Sequence, residues 1–495
     1  MRDDEIRRSL VEANPWWRAV GGADPLAWAT HHRLLRDRAA HDLGYRSTVL
    51  SDLSAGPLGD ALVILSGPRR IGKSVALLDL AVSLCARPDL DVRQVIHLPC
   101  DGMRDRDLRR ALTLARDLTA SVDRDGAVRR VWLFDEITGV SGWTSVIKAA
   151  RDGTSLGDDT VVATGSRWTD ADDAIRNLLA GRAGTGNERR VRHLLPMSFG
   201  DYVRRTRPDL PCPSPVPPAS LQDESNRREL EALGIAIDDY DLAWQAYLTC
   251  GGFPRAVAEH TRDGTVSESY LRDLAAWLQG DVDPEAPPDS VPHLIAELAR
   301  RGSSPLNAAD TSRALGYRSP QSFDLRIRRL IQSFAAVECP RRGDNGRPIH
   351  GSQSKVYLVD PLLAWLPSRL RAGLPEPDFT QLTEAAIGVS LARLIDVLDE
   401  GRWAANDTIG YVRTASGNEV DFGPVGVPSM AGPLKSVPIE SKWVESGWRA
   451  DAKVVEGKYS AGIVATKSVL NLEHPSWAIP APIVALLLDA NPGST

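Results

Sequence analysis

Residues 67–74 carry the first pattern in the sequence whose residue types could do chemistry. Gly67, Gly72, Lys73 and Ser74 have the spacing GxxxxGK[ST], in which glycines allow backbone N–H groups to close around phosphate groups. Lys73 would reach the β- and γ-phosphates of a nucleoside triphosphate, and the Ser74 hydroxyl would bind Mg²⁺. The pattern therefore predicts ATP and Mg²⁺ as cofactors. The expected cradle consists of Gly67, Pro68, Arg69, Arg70, Ile71, Gly72, Lys73 and Ser74.

A phosphate loop of this kind needs a strand before it and a helix after it. The apolar run "ALVIL" precedes the loop, and the helical pattern "SVALLDLAVSLC" follows Lys73. That helix would direct its positive N-terminal end toward the phosphates. The alternative is a glycine-containing turn with a chance Lys-Ser pair, and the flanking elements favour the phosphate loop.

A second apolar run, "VWLF", ends at Asp135 and Glu136. Ligands of open α/β sheets bind at the carboxyl ends of the strands, so we expect these acids beside the phosphate loop. Asp135 would hold the Mg²⁺ shell, and Glu136 would act as the catalytic residue that orients or polarises the attacking water. The alternative is a buried strand that merely ends in an acidic turn.

Three further polar residues are candidates for the same site. Thr164 and Ser166 follow the apolar run "VVA" and could contact the γ-phosphate or the water. A turn or a helix cap explains them equally well. Arg182, in "LLAGRAG", could act as an arginine finger, although an exposed surface arginine is the commoner explanation.

Length and composition exclude several classes of protein. A chain of 495 residues is expected to form roughly two to four domains. The net charge of −6 means that any DNA contact would need a local basic patch. The five cysteines lack paired or metal-ligand spacing, which favours reduced thiols. No signal segment begins the sequence and no apolar run is long enough to span a bilayer, so we expect a cytoplasmic protein without membrane contact.

Several motifs occur in an order that resembles a known family. They are "GPRRIGKS", "LFDEI", "ATGS", "AGR", "LLPMSFGDYV" and "GGFPRAV". Together they are similar to motifs of bacterial and archaeal AAA-like P-loop ATPases with a C-terminal PD-(D/E)xK nuclease-like domain. The family commonly has Thr where this sequence has Ser74, which keeps the hydroxyl. The resemblance implies an ATPase and names no pathway.

The segment 286–372 has the outline of a winged helix-turn-helix. Three helical patterns, "SVPHLIAELARRG", "NAADTSRALGY" and "SPQSFDLRIRRLIQSF", precede two β-like runs, "AAVECPRR" and "SKVYLVD". In such a unit the third helix enters the DNA major groove and nearby arginines hold phosphates. A solvated arginine face or a protein-contact module explains the pattern equally well. The candidate DNA contacts are Arg326, Arg328, Arg329, Arg341 and Arg342.

Four charged residues near the C-terminus resemble the core of metal-dependent nucleases. Glu384 lies in a helical pattern, Asp421 follows in "GNEVDF", and "VPIESKW" supplies Glu440 and Lys442. In that core the acids hold divalent ions, here through Asp421 and Glu440, and the lysine orients or deprotonates the attacking water. Such domains can keep their shape without cutting, so the nuclease activity of these four catalytic candidates is left open.

The sequence therefore predicts a multidomain α/β fold: a parallel-sheet P-loop ATPase core with a helical lid, a winged-helix domain and an α/β nuclease-like C-terminal domain. The proline-rich stretch 207–225 is expected to be an exposed loop. Buried aromatic packing is the expected role of "NPWW" at residues 14–17. The predicted boundaries are 1–60 for an N-terminal segment, 61–205 for the ATPase core, 206–285 for the lid, 286–372 for the winged helix and 373–495 for the nuclease-like domain.

Three functions fit these patterns. ATP hydrolysis could drive a DNA-directed nuclease or remodeller, or ATP could switch a regulator whose C-terminal domain only binds DNA or a protein. The third function is a signalling ATPase of a defence or stress system. The predicted partners are ATP and either double-stranded DNA or an unknown protein, with a homo-oligomer left open.

Overall fold

The computed structural model describes residues 1–19, 24–123, 128–153, 155–166, 177–181, 189–288, 290–427 and 434–489. The chain divides into two compact units, Met1–Leu195 and Pro196–Thr495. The division into five domains that the sequence suggested remains a prediction.

The first unit is built on a parallel sheet of five strands in the order β2-β3-β4-β1-β5. Nearly every residue of these strands is buried, as expected for a parallel sheet that is covered on both faces. The predicted parallel α/β core is thus confirmed. Its strands are β1 (Ala61–Ser66), β2 (Val95–Pro99), β3 (Val131–Asp135), β4 (Thr160–Gly165) and β5 (Val191–His193). The helices of this unit are α1 (Asp3–Ala13), α2 (Arg33–Ala39), α3 (Lys73–Cys85), α4 (Asp105–Leu118) and α5 (Trp143–Asp152).

The "NPWW" stretch covers the free edge of strand β2. The Asn14 side chain accepts a hydrogen bond from His97 N at 2.6 Å and donates one to His97 O at 2.8 Å. Both indole groups, of Trp16 and Trp17, donate to the carbonyl oxygen of Val95 at 2.9 Å. An exposed strand edge is a template for unwanted pairing, so this stretch closes the sheet as well as filling its core.

Within its described residues, the second unit contains most of the helices and four small sheets. A parallel three-stranded sheet has the order β12-β13-β14, and three antiparallel pairs are β6–β7, β8–β9 and β10–β11. The strands are β6 (Ala336–Pro340), β7 (Ser354–Leu358), β8 (Val412–Arg413), β9 (Glu419–Val420), β10 (Gly426–Val427), β11 (Leu434–Lys435), β12 (Ile439–Ser441), β13 (Gly462–Thr466) and β14 (Ser476–Pro480). The helices are α6 (Phe199–Thr206), α7 (Arg227–Leu233), α8 (Ile237–Cys250), α9 (Pro254–Asp263), α10 (Glu268–Val282), α11 (Ser290–Arg301), α12 (Ala308–Ala314), α13 (Pro320–Gln332), α14 (Pro361–Leu370), α15 (Phe379–Leu398), α16 (Arg449–Tyr459) and α17 (Ala481–Leu487).

Helices α11, α12 and α13 and the β6–β7 hairpin occur in the order that a winged helix would have. The side chain of Asn307 accepts bonds from the first backbone N–H groups of α12, and Ser319 caps α13, which begins with Pro320. Both residues are of the types that favour a helix start. The identity of this segment as a winged-helix domain remains a prediction.

The "MSFG" and "GGFP" motifs meet in the second unit at a buried aspartate. Gly252 donates its N–H to Asp360 at 2.7 Å and accepts a hydrogen bond from Met197 N, also at 2.7 Å. Gly251 has a φ of +70°, and a Cβ there would overlap the Asp360 carboxylate. Burial raises the pKa of Asp360 to about 6. These two motifs therefore form a structural junction, and the glycines are needed for the close approach.

The proline-rich stretch 207–225 differs from the predicted exposed loop. Val216 is buried and donates its N–H to Leu487 O at 3.0 Å, and Pro218 O accepts a hydrogen bond from Val437 N at 2.9 Å. A proline-rich strap can pack in this way because it needs few backbone partners.

Candidate nucleotide site and a buried carboxylate cluster

The phosphate loop lies between strand β1 and helix α3, where the sequence placed it. Gly72 precedes the helix with a φ of +103°, and Arg70 also has a left-handed backbone, with a φ of +65°. At Gly67 a Cβ would overlap the carbonyl oxygen of Leu194. The glycines at both ends are thus required by local geometry. Arg69 and Arg70 are exposed at the tip of the loop.

Lys73 is buried against its own loop. Its Nζ donates to the carbonyl oxygens of Gly67 and Pro68, both at 3.0 Å, and lies 3.4 Å from Glu136 Oε1. Burial lowers the pKa of Lys73, because taking the ammonium out of water disfavours its charged form. Glu136, and Asp135 from beyond ion-pair distance, favour the charged ammonium without offsetting its burial, which suits this cation to an incoming anion.

Strand β4 lies between β1 and β3, and this order brings three oxygen-bearing side chains together. The Ser74 hydroxyl and the Thr164 hydroxyl each donate to Asp135 Oδ1 at 3.0 Å. Carboxylate and hydroxyl oxygens are hard donors of the kind that Mg²⁺ prefers. The side chains of Ser74 and Asp135 therefore fit the predicted metal, with Thr164 as their neighbour.

Glu136 stands directly after Asp135 with a left-handed backbone, at a φ of +53°. Its N–H donates to the Thr164 hydroxyl at 3.0 Å, and its Oε2 accepts from the Ser166 hydroxyl at 3.1 Å. A non-glycine residue in this conformation is uncommon and often marks a functional position. The carboxylate is one-third exposed, so water can reach it.

One residue near this site escaped the sequence reasoning. His97, on the edge strand β2, places its Nε2 4.0 Å from Asp135 Oδ2, and Nε2 has no hydrogen-bond partner among the described residues. Burial lowers the pKa of His97. Its place on a strand beside β3, two residues before the carboxyl end of that strand, was the only available signal. Arg182, the candidate arginine finger, lies outside the described residues.

The four nuclease-like candidates come together in the second unit. Glu384 on α15, Asp421 after β9, and Glu440 on β12 are all buried, and Lys442 Nζ lies 3.2 Å from Glu440 Oε1. Burial raises the pKa of Glu440 to about 8. A fifth residue that the sequence did not indicate, Lys355 on β7, lies among these acids.

Lys355 has no exposed side-chain surface. Its Nζ lies 2.8 Å from Glu384 Oε1, 2.8 Å from Asp421 Oδ1 and 2.7 Å from Glu419 Oε1. Burial alone would lower the pKa of Lys355, but the three carboxylates outweigh it and raise the pKa above its usual value. Among the described residues, no group of three or more His, Cys, Asp or Glu side chains is arranged to hold a metal ion.

The five candidate DNA contacts differ in their surroundings. Arg328 on α13 is exposed and Arg341 is half-buried. Arg326 is paired with Asp283, and Arg329 donates to Val282 O at 3.0 Å.

The prediction for Arg342 needs correction. Arg342 is buried, pairs with Asp407 at 2.8 Å, and also donates to backbone carbonyls. Its guanidinium is therefore used inside the fold and is not available to a phosphate.

The parallel sheet and the phosphate loop of the first unit have the arrangement of a P-loop domain. Residues 59–203 match the model of a family described as an AAA domain. This part of the chain is thus an AAA-type P-loop domain. A comparison with curated proteins gave no match.

Solved structures with similarity to the chain include the following three proteins. A Walker-type ATPase of Pyrococcus abyssi is 16% identical with a TM-score of 0.37, over 62% of this chain and 90% of that one. Aeropyrum pernix ORC1 in complex with DNA is 12% identical with a TM-score of 0.26, over 70% and 91%. A DNA polymerase III gamma subunit-related protein of Thermotoga maritima is 12% identical with a TM-score of 0.22, over 56% and 96%. Within the described part of the chain, no helix is both long and apolar enough to span a membrane.

Proposed function

We propose that the first unit binds ATP with Mg²⁺ and hydrolyses it, and that the second unit acts as a DNA- or protein-binding module controlled by the nucleotide. The observation that carries the proposal is the environment of Lys73. Its buried ammonium is held by two loop carbonyls and faces a single carboxylate at 3.4 Å. Such a cation gains more from a triphosphate than a fully paired lysine would.

The neighbouring side chains have distinct roles in this proposal. Ser74 and Asp135 would hold Mg²⁺ through oxygens that already lie 3.0 Å apart. Mg²⁺ would offset the charge that develops on the transferred phosphate. Glu136 would orient the attacking water, with its carboxylate fixed by Ser166 at 3.1 Å. Thr164 would keep Asp135 and Glu136 in position, since its hydroxyl donates to the Asp135 carboxylate and accepts from the Glu136 N–H.

The test separates binding from hydrolysis. Lys73→Ala should abolish ATP binding in calorimetry, because the phosphates lose their buried cation. Glu136→Gln should still bind ATP and lose about 10²- to 10⁴-fold in hydrolysis, the usual size of a positioned acid–base contribution.

Lys148→Ala is the matched control for these variants, since Lys148 is an exposed lysine on α5 of the same unit. It should leave both measurements unchanged. Normal hydrolysis by Glu136→Gln would show that Glu136 does not orient the attacking water. Normal ATP binding by Lys73→Ala would contradict the proposal that this site binds ATP.

Double-stranded DNA is the partner that we favour for the second unit. The supporting observation is the exposed Arg328 on α13, the helix that would enter the major groove if the segment is a winged helix. A protein partner is the alternative.

A further inference from the structure

The acids of the nuclease-like cluster surround a lysine rather than an open space. The Lys355 ammonium donates hydrogen bonds to Glu384 Oε1 and Asp421 Oδ1, both at 2.8 Å, and forms an ion pair with Glu419 Oε1 at 2.7 Å. These are the lengths of strong charge-assisted hydrogen bonds. Lys355 therefore pairs with three carboxylates of the cluster at once.

The remaining oxygens of the expected metal ligands are also engaged. Asp421 Oδ2 accepts a hydrogen bond from Ser441 N at 3.0 Å, and Glu440 Oε2 accepts one from Asp421 N at 3.1 Å. The other Glu440 oxygen faces Lys442 at 3.2 Å. Neither oxygen of either acid is thus left without a donor.

Tyr357 adds a hydrogen bond to the part of the cluster around Lys355. Its hydroxyl donates to Glu384 Oε1 at 2.7 Å, the same oxygen that accepts from Lys355. Lys355 and Tyr357 are two residues apart on β7 and therefore lie on one face of the strand. The hairpin β6–β7 is in this way bound to α15, and its lysine cannot leave without breaking buried charged contacts.

Three cations offset most of the negative charge of the cluster without a metal, and one negative charge remains in excess. Four carboxylates, on Glu384, Glu419, Asp421 and Glu440, face three cations: Lys355, Lys442 and Arg413, whose Nε lies 3.5 Å from Glu419. A divalent ion needs several oxygens converging at about 2.1 Å from one point, whereas here an ammonium occupies the point of convergence. The residues present do not fit Mg²⁺ or Mn²⁺.

We propose that Lys355 is the resident cation of this cluster, and that the nuclease-like acids form a structural ion-pair network that takes no divalent ion. The network joins the hairpin β6–β7 to the C-terminal part of the second unit. All residues of this network belong to the second unit, so its test does not depend on ATP hydrolysis.

The experiment counts bound Mn²⁺ by electron paramagnetic resonance without nucleotide. The full chain carries Ser74→Ala and Asp135→Asn, which remove the oxygens of the first site. In this background we expect no bound Mn²⁺ at millimolar concentration and no shift of the melting temperature by Mn²⁺. Bound Mn²⁺ that disappears on adding Asp421→Asn would overturn the proposal.

Replacing the lysine is the complementary test. Lys355→Met should create Mn²⁺ binding at least about tenfold tighter than in the background chain, because the buried acids lose their cation. Adding Asp421→Asn to Lys355→Met should remove that binding and restore part of the lost stability, which keeps the test decisive if the single variant folds poorly. Lys458→Met is the control, since Lys458 pairs with the exposed Asp344 at 2.7 Å. An unchanged Mn²⁺ count in a folded Lys355→Met chain would contradict the proposal.

Discussion

Two buried lysines, one in each unit, occupy opposite electrostatic situations. Lys73 faces one carboxylate and two carbonyls, and burial lowers its pKa. Lys355 is held by three carboxylates, which raise its pKa in spite of burial. An ammonium that is poorly compensated is suited to bind an anion, whereas one that is fully compensated is part of the fold. The same residue type thus indicates a ligand site in the first unit and a closed network in the second.

The largest expected effect is the difference in stability between variants that remove one or the other lysine. Lys355→Met should destabilise the second unit by about 3–5 kcal/mol, because it leaves buried carboxylates uncompensated. Lys73→Met should leave the stability of the first unit unchanged or slightly higher, because it removes a desolvated charge. Urea unfolding combined with hydrogen exchange on α3 and α15 measures both. Equal losses of stability in the two variants would contradict the proposed difference between the two lysines.

A smaller effect is expected at the edge of the first sheet. Asn14 is fully buried and makes two hydrogen bonds with the backbone of His97. Asn14→Ala should cost about 1–3 kcal/mol of the first unit's stability, since it leaves buried backbone groups unsatisfied. Glu12→Ala, at an exposed position of α1 in the same unit, is the control in the same urea experiment. A loss within error would show that the tryptophans alone hold the strand edge.

The smallest effects are expected at an exposed and a buried arginine of the second unit, Arg328 and Arg342. Arg328→Ala should weaken duplex DNA binding and lower the salt slope by about one, as expected for one phosphate contact. Arg342→Ala should destabilise the unit, because Asp407 loses its partner at 2.8 Å. Fluorescence anisotropy at several salt concentrations measures the first, and thermal melting the second. DNA binding that is indifferent to Arg328 would favour a protein partner.

Much of the first unit could be predicted from the sequence because its signals are local. The loop at residues 67–74 has its strand and helix directly beside it, and apolar strands that end in polar residues are typical of a parallel sheet. Asp135 and Thr164 meet only because β4 lies between β1 and β3, and parallel strands present their carboxyl ends at one edge. The AAA family match to residues 59–203 agrees with this prediction. The roles of the individual residues remain predictions.

The second unit shows where such reasoning fails. Alternation along "SKVYLVD" places Lys355 and Tyr357 on one face, yet nothing in the pattern indicates that α15 buries that face. Arg342 ends the β-like run "AAVECPRR" and was expected to face DNA, but it is buried, and Asp407 and the carbonyl of Ile409 accept its hydrogen bonds. Both outcomes depend on partners far away in the chain, which composition and spacing do not contain.

The most direct test of the account is the number of Mn²⁺ ions bound by the unmodified chain with and without a non-hydrolysable ATP analogue. The account predicts a single ion that appears only with the nucleotide and is lost in Lys73→Ala. An ion that binds without nucleotide and disappears in Asp421→Asn, or no nucleotide-dependent ion at all, would contradict it.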